Sequence, residues 1–183
     1  MKIILTETQY KKLIEDVENS ESSLSAKELK VQEAKNNVQA IAKKINGYGL
    51  GADVTDFMVR VAGVETCYGL ATGNVDIWQI DPIAFKDTKD TKSHPSLKKK
   101  IQKLKEYDID WLKLSQTDME SSMTKNAIAA RLVLSNIPSS IPSDLQGQAT
   151  YWKNNYNTSA GAGTANDFIK KSTNLKACTA YVK

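Results

Sequence analysis

Two carboxylates, Glu65 and Asp81, are the side chains of this sequence best suited by position to acid–base chemistry. Glu65 closes an apolar segment that runs from Val54 to Val64 with helical spacing, so we expect it at the end of a helix. Partial burial there would raise the pKa of its carboxyl and keep it protonated near neutrality, as a general acid requires. Asp81 follows sixteen residues later, and the intervening loop, which also contains Asp76, could bring a second carboxylate close to the first.

Both residues also have a purely structural interpretation. Glu65 could do no more than end its helix, and Asp81 could be the N-cap of a helix that begins at Pro82. A pair of carboxyl groups is the usual catalytic equipment for cleaving a glycosidic bond, with one acting as acid and the other activating water. The local pattern alone leaves the catalytic and the structural interpretation open.

Other catalytic chemistries are limited by the residue counts. His94 is the only histidine, and its position before Pro95 and a run of lysines indicates an exposed helix start. Cys67 and Cys178 are the only cysteines; they could pair, but because 110 residues lie between them our default expectation is two free thiols. These three side chains cannot fill a four-ligand zinc site without carboxylates, and the sequence contains no P-loop. We therefore expect no metal and no cofactor.

Length and charge narrow the class of protein. The chain has 183 residues, of which 40% are hydrophobic and 25% charged, which is typical of one globular domain or a domain with a helical appendage. Its net charge of +4 comes almost entirely from lysine, since Arg60 and Arg131 are the only arginines. This composition argues against a nucleic-acid partner. No apolar stretch is long enough for a transmembrane segment or a signal peptide.

The periodicity predicts a mainly α fold. After a short helix over 7–18 and a linker over 19–25, a capping box of Ser25 and Glu28 begins a helix from Ala26 to Ile45. Its narrow apolar stripe could pack within the chain or against a coiled-coil partner. Three glycines then mark a boundary, which separates an N-terminal helical segment, 1–51, from a second domain, 52–183. We expect a short strand or extended segment near 75–81 and later helices over 118–136, 143–155 and 165–172.

Four segments, taken in order, resemble the lysozyme-like superfamily. They are Val64-Glu65-Thr66 with Gly69, then Ile77-Trp78-Gln79-Ile80-Asp81, then an Ala-rich helix with Asn126 and Ala129-Ala130-Arg131-Leu132, and last Tyr156-Asn157 with Gly161 and Gly163. Goose-type lysozymes and soluble lytic transglycosylases are similar in the order of these segments, and the goose-type enzymes also follow the Gln-Ile run with Asp. The resemblance covers about residues 53–172 and implies a lysozyme-like helical domain.

The resemblance also implies roles for individual residues. Glu65 would be the general acid, while Asp81, or alternatively Asp76, would position the attacking water. Without such a carboxylate, Glu65 would act alone and the sugar 6-hydroxyl would attack to give an anhydro product. The residues expected to bind substrate are Gln79, Trp78, Tyr68, Tyr151, Trp152, Tyr156 and Asn157. For Tyr151 and Trp152, core packing is the alternative to stacking on sugar rings.

These expectations converge on a peptidoglycan-cleaving glycosidase that acts on the MurNAc–GlcNAc β-1,4 bond. Because no signal peptide is evident, we expect a phage enzyme, carried in the virion or released from the host as an endolysin, that acts on the bacterial cell wall from the periplasm or outside. The helix over 25–46 would then suit attachment to a tail protein. The alternatives are a non-catalytic virion adaptor with a degenerate lysozyme-like domain and a basic helical nucleic-acid binder.

Overall fold

All regular secondary structure that the computed structural model describes, over residues 6–12, 24–157 and 161–183, is helical. Beyond a helical stretch over 7–12, the α-helices are α1 (Ala26–Asn46), α2 (Thr55–Thr66), α3 (Pro82–Asp87), α4 (Pro95–Leu104), α5 (Gln116–Glu120), α6 (Met123–Asn136), α7 (Leu145–Tyr151) and α8 (Ala165–Thr173). The mainly α prediction is confirmed. None of these helices is both long and apolar enough to cross a membrane. Residues 13–18 of the first predicted helix and 19–23 of the predicted linker lie outside the described ranges.

Three 3-10 segments and one π-helical turn complete the described chain, at Lys105–Tyr107, Trp111–Lys113, Leu175–Tyr181 and Trp152–Tyr156 respectively. The single helix predicted over 118–136 is wrong, because Ser121 ends α5 and the Ser122 hydroxyl accepts a hydrogen bond from the Lys125 N–H to begin α6. The helix predicted from Ser143 begins two residues later, after Asp144 as its N-cap, and turns π-helical at Trp152.

Helix α1 begins at the predicted capping box. The Ser25 hydroxyl accepts from the Glu28 N–H, and the Glu28 carboxylate accepts from the Ser25 N–H at 2.9 Å. The apolar stripe of α1 faces the common core and packs on α2, α6 and the final 3-10 segment, with four fully buried residues, Val31, Val38, Ala42 and Ile45. Packing within the chain therefore accounts for the stripe, and those four side chains are not available to a tail protein.

Helix α2 lies at the centre of the fold, where nine of its twelve residues are buried. Helices α1 and α8 pack against it from different sides, which explains why apolar residues occupy more than one of its faces. The helix ends where Cys67 and Tyr68 adopt left-handed conformations, with φ of 49° and 61°. Glu65 therefore stands in the last turn of a rigid, well-packed helix.

The segment over 75–81 forms tight turns instead of the predicted strand or extended segment. Asn74, Asp76 and Gln79 have φ of 67°, 42° and 50°, which lie in the left-handed region and are incompatible with a strand. Ile77 and Trp78 are adjacent in sequence and both fully buried. The β-branched and aromatic residues of this segment therefore reflect burial of its side chains in the core and not strand pairing.

A disulfide between Cys67 and Cys178 joins the end of α2 to the final 3-10 segment, with a Cα–Cα distance of 5.4 Å. Our expectation of two free thiols is wrong. The long separation in sequence says nothing about separation in space, because α1, α2 and α8 bring the C-terminal segment back to the end of α2. Both cysteines are buried in the core.

Candidate active site

Glu65 is a partly buried carboxylate whose immediate neighbours, Val64 and Thr66, are buried. Its Oε1 accepts a hydrogen bond of 2.8 Å from the indole Nε1 of Trp152. Burial raises the pKa of the Glu65 carboxyl, and this effect outweighs the hydrogen bond from Trp152 and the positive charge of Lys171, which both lower it. The position thus favours the protonated form that a general acid needs.

Trp152 supports Glu65 from within the core. Its indole is only 1% exposed, and it packs against Phe168. A Cβ atom at Gly163 would lie 2.6 Å from the indole ring, so glycine is required for this close approach. For Trp152, the structure shows the core-packing alternative to sugar stacking, because the ring is buried; its indole N–H donates to the Glu65 carboxylate.

Asp76 is the second carboxylate of the site, and its charge raises the pKa of Glu65. Its Oδ1 accepts from the Ile80 N–H at 3.1 Å and from the Asn126 side-chain amide at 2.9 Å. Burial raises the pKa of the Asp76 carboxyl more than these hydrogen bonds lower it, and the nearby charge of Glu120 raises it further. Asp76 is thus a partly buried carboxylate with a fixed orientation.

Asn126 belongs to the Ala-rich segment noted in the sequence, but the sequence assigned it no role at the site. It is fully buried on α6, and its Oδ1 accepts from the Trp78 N–H at 3.0 Å while its Nδ2 donates to Asp76. The amide therefore fixes both the backbone of the loop and the carboxylate it carries. The sequence signal for a buried polar group was an Asn directly before the apolar run that begins at Ala127. In the structure, Asn126 and the four residues after it are all buried.

Asp81 occupies the helix-capping position that its structural interpretation predicted. Its Oδ1 accepts from the N–H groups of Ile83 and Ala84, both at 2.8 Å, and so caps α3. The side chain is exposed, but its charge still contributes to the raised pKa of Tyr156. Asp81 thus lies near the site as a helix cap, while Asp76 is the carboxylate that influences Glu65.

Tyr156 lies close enough to three carboxylates to feel their charge. Its hydroxyl donates a hydrogen bond of 2.7 Å to the Trp78 carbonyl. Burial of the phenol raises its pKa well above the ordinary value, and the charges of Glu65, Asp76 and Asp81 raise it further. The π-helical turn, closed by the Asn157 N–H to the Trp152 carbonyl at 2.9 Å, presents Trp152 and Tyr156 to the same region. Such turns are frequent at functional sites.

Gln79 and Asn157 have local partners. The exposed Gln79 side chain donates to the Asp76 carbonyl at 2.9 Å and to its Oδ2 at 3.2 Å, which holds the loop in shape. Asn157 accepts from the Lys153 ammonium at 2.9 Å, and the predicted Tyr156–Gly163 motif continues through residues 158–160, which lie outside the described ranges. Gln79 thus belongs to the Asp76 loop and is open to solvent.

Three predicted substrate-binding aromatic residues are core residues. Trp78 is fully buried and its indole donates to the Met58 carbonyl at 2.9 Å. Tyr68 is 1% exposed; its hydroxyl donates to the Lys171 carbonyl at 3.3 Å, and burial raises its pKa to about 12. Tyr151 is buried edge-on against Phe57. Core packing covers all three rings, which contradicts the expected sugar contacts of Trp78 and Tyr68 and is the stated alternative for Tyr151.

No metal centre accompanies these carboxylates: within the described ranges, no three His, Cys, Asp or Glu side chains are grouped so that they could hold a metal ion. The lone histidine, His94, precedes α4, and its Nε2 lies 3.1 Å from a carboxylate oxygen of Asp87.

Comparisons of the chain with protein-family models, with curated proteins and with solved structures find no significant match. Any assignment of function thus depends on the residues themselves. Each of the four segments singled out in the sequence supplies a side chain in or near the site: Glu65 from the first, Gln79 and Asp81 from the second, Asn126 from the third and Tyr156 from the last.

Proposed function

We propose that this protein is a glycosidase that cleaves bacterial peptidoglycan, with Glu65 as its general acid. The observation that carries the proposal is the environment of Glu65: a carboxyl in the last turn of a buried helix, with its pKa raised by burial and its orientation set by the Trp152 indole. Such a carboxyl can remain protonated when exposed carboxyls are ionised, and so can protonate the leaving glycosidic oxygen.

Asp76 is the carboxylate that we propose to activate water. Its charge acts on Glu65, and Asn126 and the Ile80 N–H hold one of its oxygens in place. Water attacking the anomeric carbon would give its proton to Asp76 while Glu65 gives its own to the leaving oxygen, and the product would have inverted configuration. Asp81 is a weaker candidate, because its Oδ1 is committed to the cap of α3.

The choice of peptidoglycan as substrate is supported by the resemblance to goose-type lysozymes and lytic transglycosylases and by the convergence of its motif residues on one site. We propose that the protein is a phage enzyme. It would reach the bacterial cell wall from the virion or after release from the host. The Cys67–Cys178 disulfide suits a protein that acts outside the reducing cytoplasm.

The test is digestion of purified peptidoglycan by the wild-type protein and by Glu65→Gln, with products identified by mass. Glu33→Gln is the matched control, since it makes the same change on an exposed face of α1. We expect muropeptides with reducing ends from the wild type and the control, and a loss of at least about 100-fold for Glu65→Gln. Full activity in Glu65→Gln would overturn the role of Glu65, and anhydro products would overturn that of Asp76.

A further inference from the structure

Helix α5 is tied by hydrogen bonds to the loop that carries Asp76. The Asp76 N–H donates to the Glu120 carbonyl at 3.3 Å. The side-chain amide of Gln116 donates to the Ile80 carbonyl at 3.0 Å and to Oε1 of Glu120 at 2.6 Å. Gln116 and Glu120 are four residues apart, so both lie on the face of α5 that meets the loop.

The backbone of Ile80 connects Gln116 to the carboxylate of Asp76. The Ile80 N–H donates to Oδ1 of Asp76 at 3.1 Å, while the Ile80 carbonyl accepts from Gln116. The side chain of Ile80 is buried in the core, which keeps this backbone in place. A single residue therefore separates the amide of Gln116 from the carboxylate that we propose to activate water.

The orientation of the Gln116 amide is set by its neighbours. Its amide nitrogen donates to two acceptors, and the reversed orientation would place an oxygen against both of them. The Oε1 atom is buried and accepts no hydrogen bond within the described ranges, at a cost of about 1–3 kcal/mol. The two donated hydrogen bonds are thus the feature of this side chain that calls for an explanation.

Helix α5 is itself held firmly. The Ser115 hydroxyl accepts from the Asp118 N–H, and the Asp118 carboxylate accepts from the Ser115 N–H at 2.9 Å, which together form a capping box. Met119 is fully buried, and its sulfur accepts from the Asn126 amide at 3.0 Å. A short helix that is capped and anchored in the core can hold its other side chains in place.

Glu120 brings a further carboxylate to the neighbourhood of Asp76. Burial is the largest cause of the raised pKa of Asp76, and the charge of Glu120 adds to it. Asn126, on α6, faces the same carboxylate but is neutral. A raised pKa makes an ionised carboxylate a stronger proton acceptor. The titratable groups around Asp76 are those of Glu65, Asp81, Glu120 and Tyr156.

We propose that Gln116 and Glu120 are positioning residues for Asp76: Gln116 fixes its orientation through the Ile80 backbone, and the charge of Glu120 strengthens it as a proton acceptor. This role rests on the proposed glycosidase function, in which Asp76 takes the proton of the attacking water. Gln116 and Glu120 lie outside the four segments that resemble the lysozyme-like superfamily, so the resemblance implies no role for them.

A variant of Glu120 separates its charge from its hydrogen bond. Glu120→Gln removes the charge but keeps an oxygen that can accept from Gln116, so the fold should be retained. We expect the pKa of Asp76, measured by carboxyl-carbon NMR of the isotope-labelled full chain, to fall. The acid limb of the pH–activity profile on peptidoglycan should move to lower pH, because the base then ionises at lower pH.

Glu33→Gln is the matched control, since it makes the same change of charge on an exposed face of α1. It should leave both the pKa of Asp76 and the acid limb unchanged. A pKa of Asp76 that stays the same in Glu120→Gln, or that falls equally in both variants, would overturn the proposal. The NMR titration needs no substrate, so it tests the role of Glu120 separately from the glycosidase function.

Gln116→Met tests the hydrogen bonds, because it removes the amide and keeps a side chain of similar length. We expect kcat to fall about tenfold as Asp76 loses its fixed orientation, with KM nearly unchanged because no substrate contact is removed. The backbone amide resonance of Ile80 should shift. A wild-type kcat in this variant would overturn the role of Gln116, and Glu120→Gln tests the role of Glu120 independently of it.

Discussion

The indole Nε1 of Trp152 donates a 2.8 Å hydrogen bond to Oε1 of Glu65 across 87 residues of sequence. This bond links the π-helical turn after α7 to the last turn of α2. It also lowers the pKa of Glu65, in opposition to the larger effect of burial. The acidity of the candidate catalytic group is therefore a balance between burial and a few named partners, each of which can be altered separately.

Replacing Trp152 by Phe should raise the pKa of Glu65, because the hydrogen bond to the ionised carboxylate is lost while burial remains. The basic limb of the pH–activity profile should move to higher pH, since activity ends where the general acid ionises. The variant should lose about 1 kcal/mol of stability with the hydrogen bond. Initial rates of peptidoglycan solubilisation across pH measure the first effect and urea denaturation the second. A limb that moves to lower pH would contradict this account.

Lys171→Gln should also move the basic limb of the pH–activity profile to higher pH, and it does so without altering the core. The Lys171 ammonium donates to the Val64 carbonyl at 3.1 Å, and its charge lowers the pKa of Glu65. Removing that charge leaves the protonated acid favoured up to higher pH. Lys170→Gln, on the exposed neighbouring position, is the matched control and should leave the limb in place. Equal displacement in both variants would show a general effect of net charge instead.

Glu65→Gln should gain stability relative to the wild type as the pH rises. The folded-state pKa of Glu65 lies above its ordinary value of 4.5, so the stability that this group contributes is complete below that pH. It is lost as the pH rises through the folded-state pKa, because the ionised carboxylate is partly buried. Gln cannot ionise and escapes this loss. Urea denaturation of both proteins at acid and neutral pH measures the difference, and a constant difference would refute the prediction.

Asp76→Asn and Asp81→Asn should separate the two carboxylates proposed from sequence. Asn caps helices as well as Asp does, so Asp81→Asn should retain both stability and activity. Asp76→Asn keeps a group that can accept from Asn126 but removes the base, and kcat should fall about 100-fold or more. The reverse ranking of the two variants would return the water-activating role to Asp81.

Reduction of the Cys67–Cys178 disulfide should cost about 4 kcal/mol of stability, because the bond closes a loop across a sequence separation of 111 residues. Denaturation with and without dithiothreitol measures this cost. The double variant Cys67→Ser with Cys178→Ser should have the stability of the reduced protein and no response to dithiothreitol. A response of the double variant would show that the reductant acts elsewhere.

Much of the local structure could be predicted because its signals act within one helical turn. The capping box at Ser25 begins α1 as predicted, the helix predicted over 165–172 is present as α8, and the apolar run before Glu65 places it at a helix end. Predictions failed where one sequence pattern is compatible with two different structures. Ile77 and Trp78 have side chains typical of strands, but they lie in a turn and are buried in the core. The aromatic rings predicted to contact sugars are also covered by the core.

The sequence by itself determined that the chain is mainly helical, that carboxylates are its candidates for acid–base chemistry, and that Glu65 ends an apolar helix, since composition and periodicity are properties of neighbouring residues. Only the tertiary structure decided that Trp152 holds Glu65, that Asn126 reaches Asp76 across 50 residues, and that Cys67 meets Cys178. These partners are set by how whole helices pack, because burial and electrostatic coupling depend on distance in space, which residue spacing along the chain does not encode.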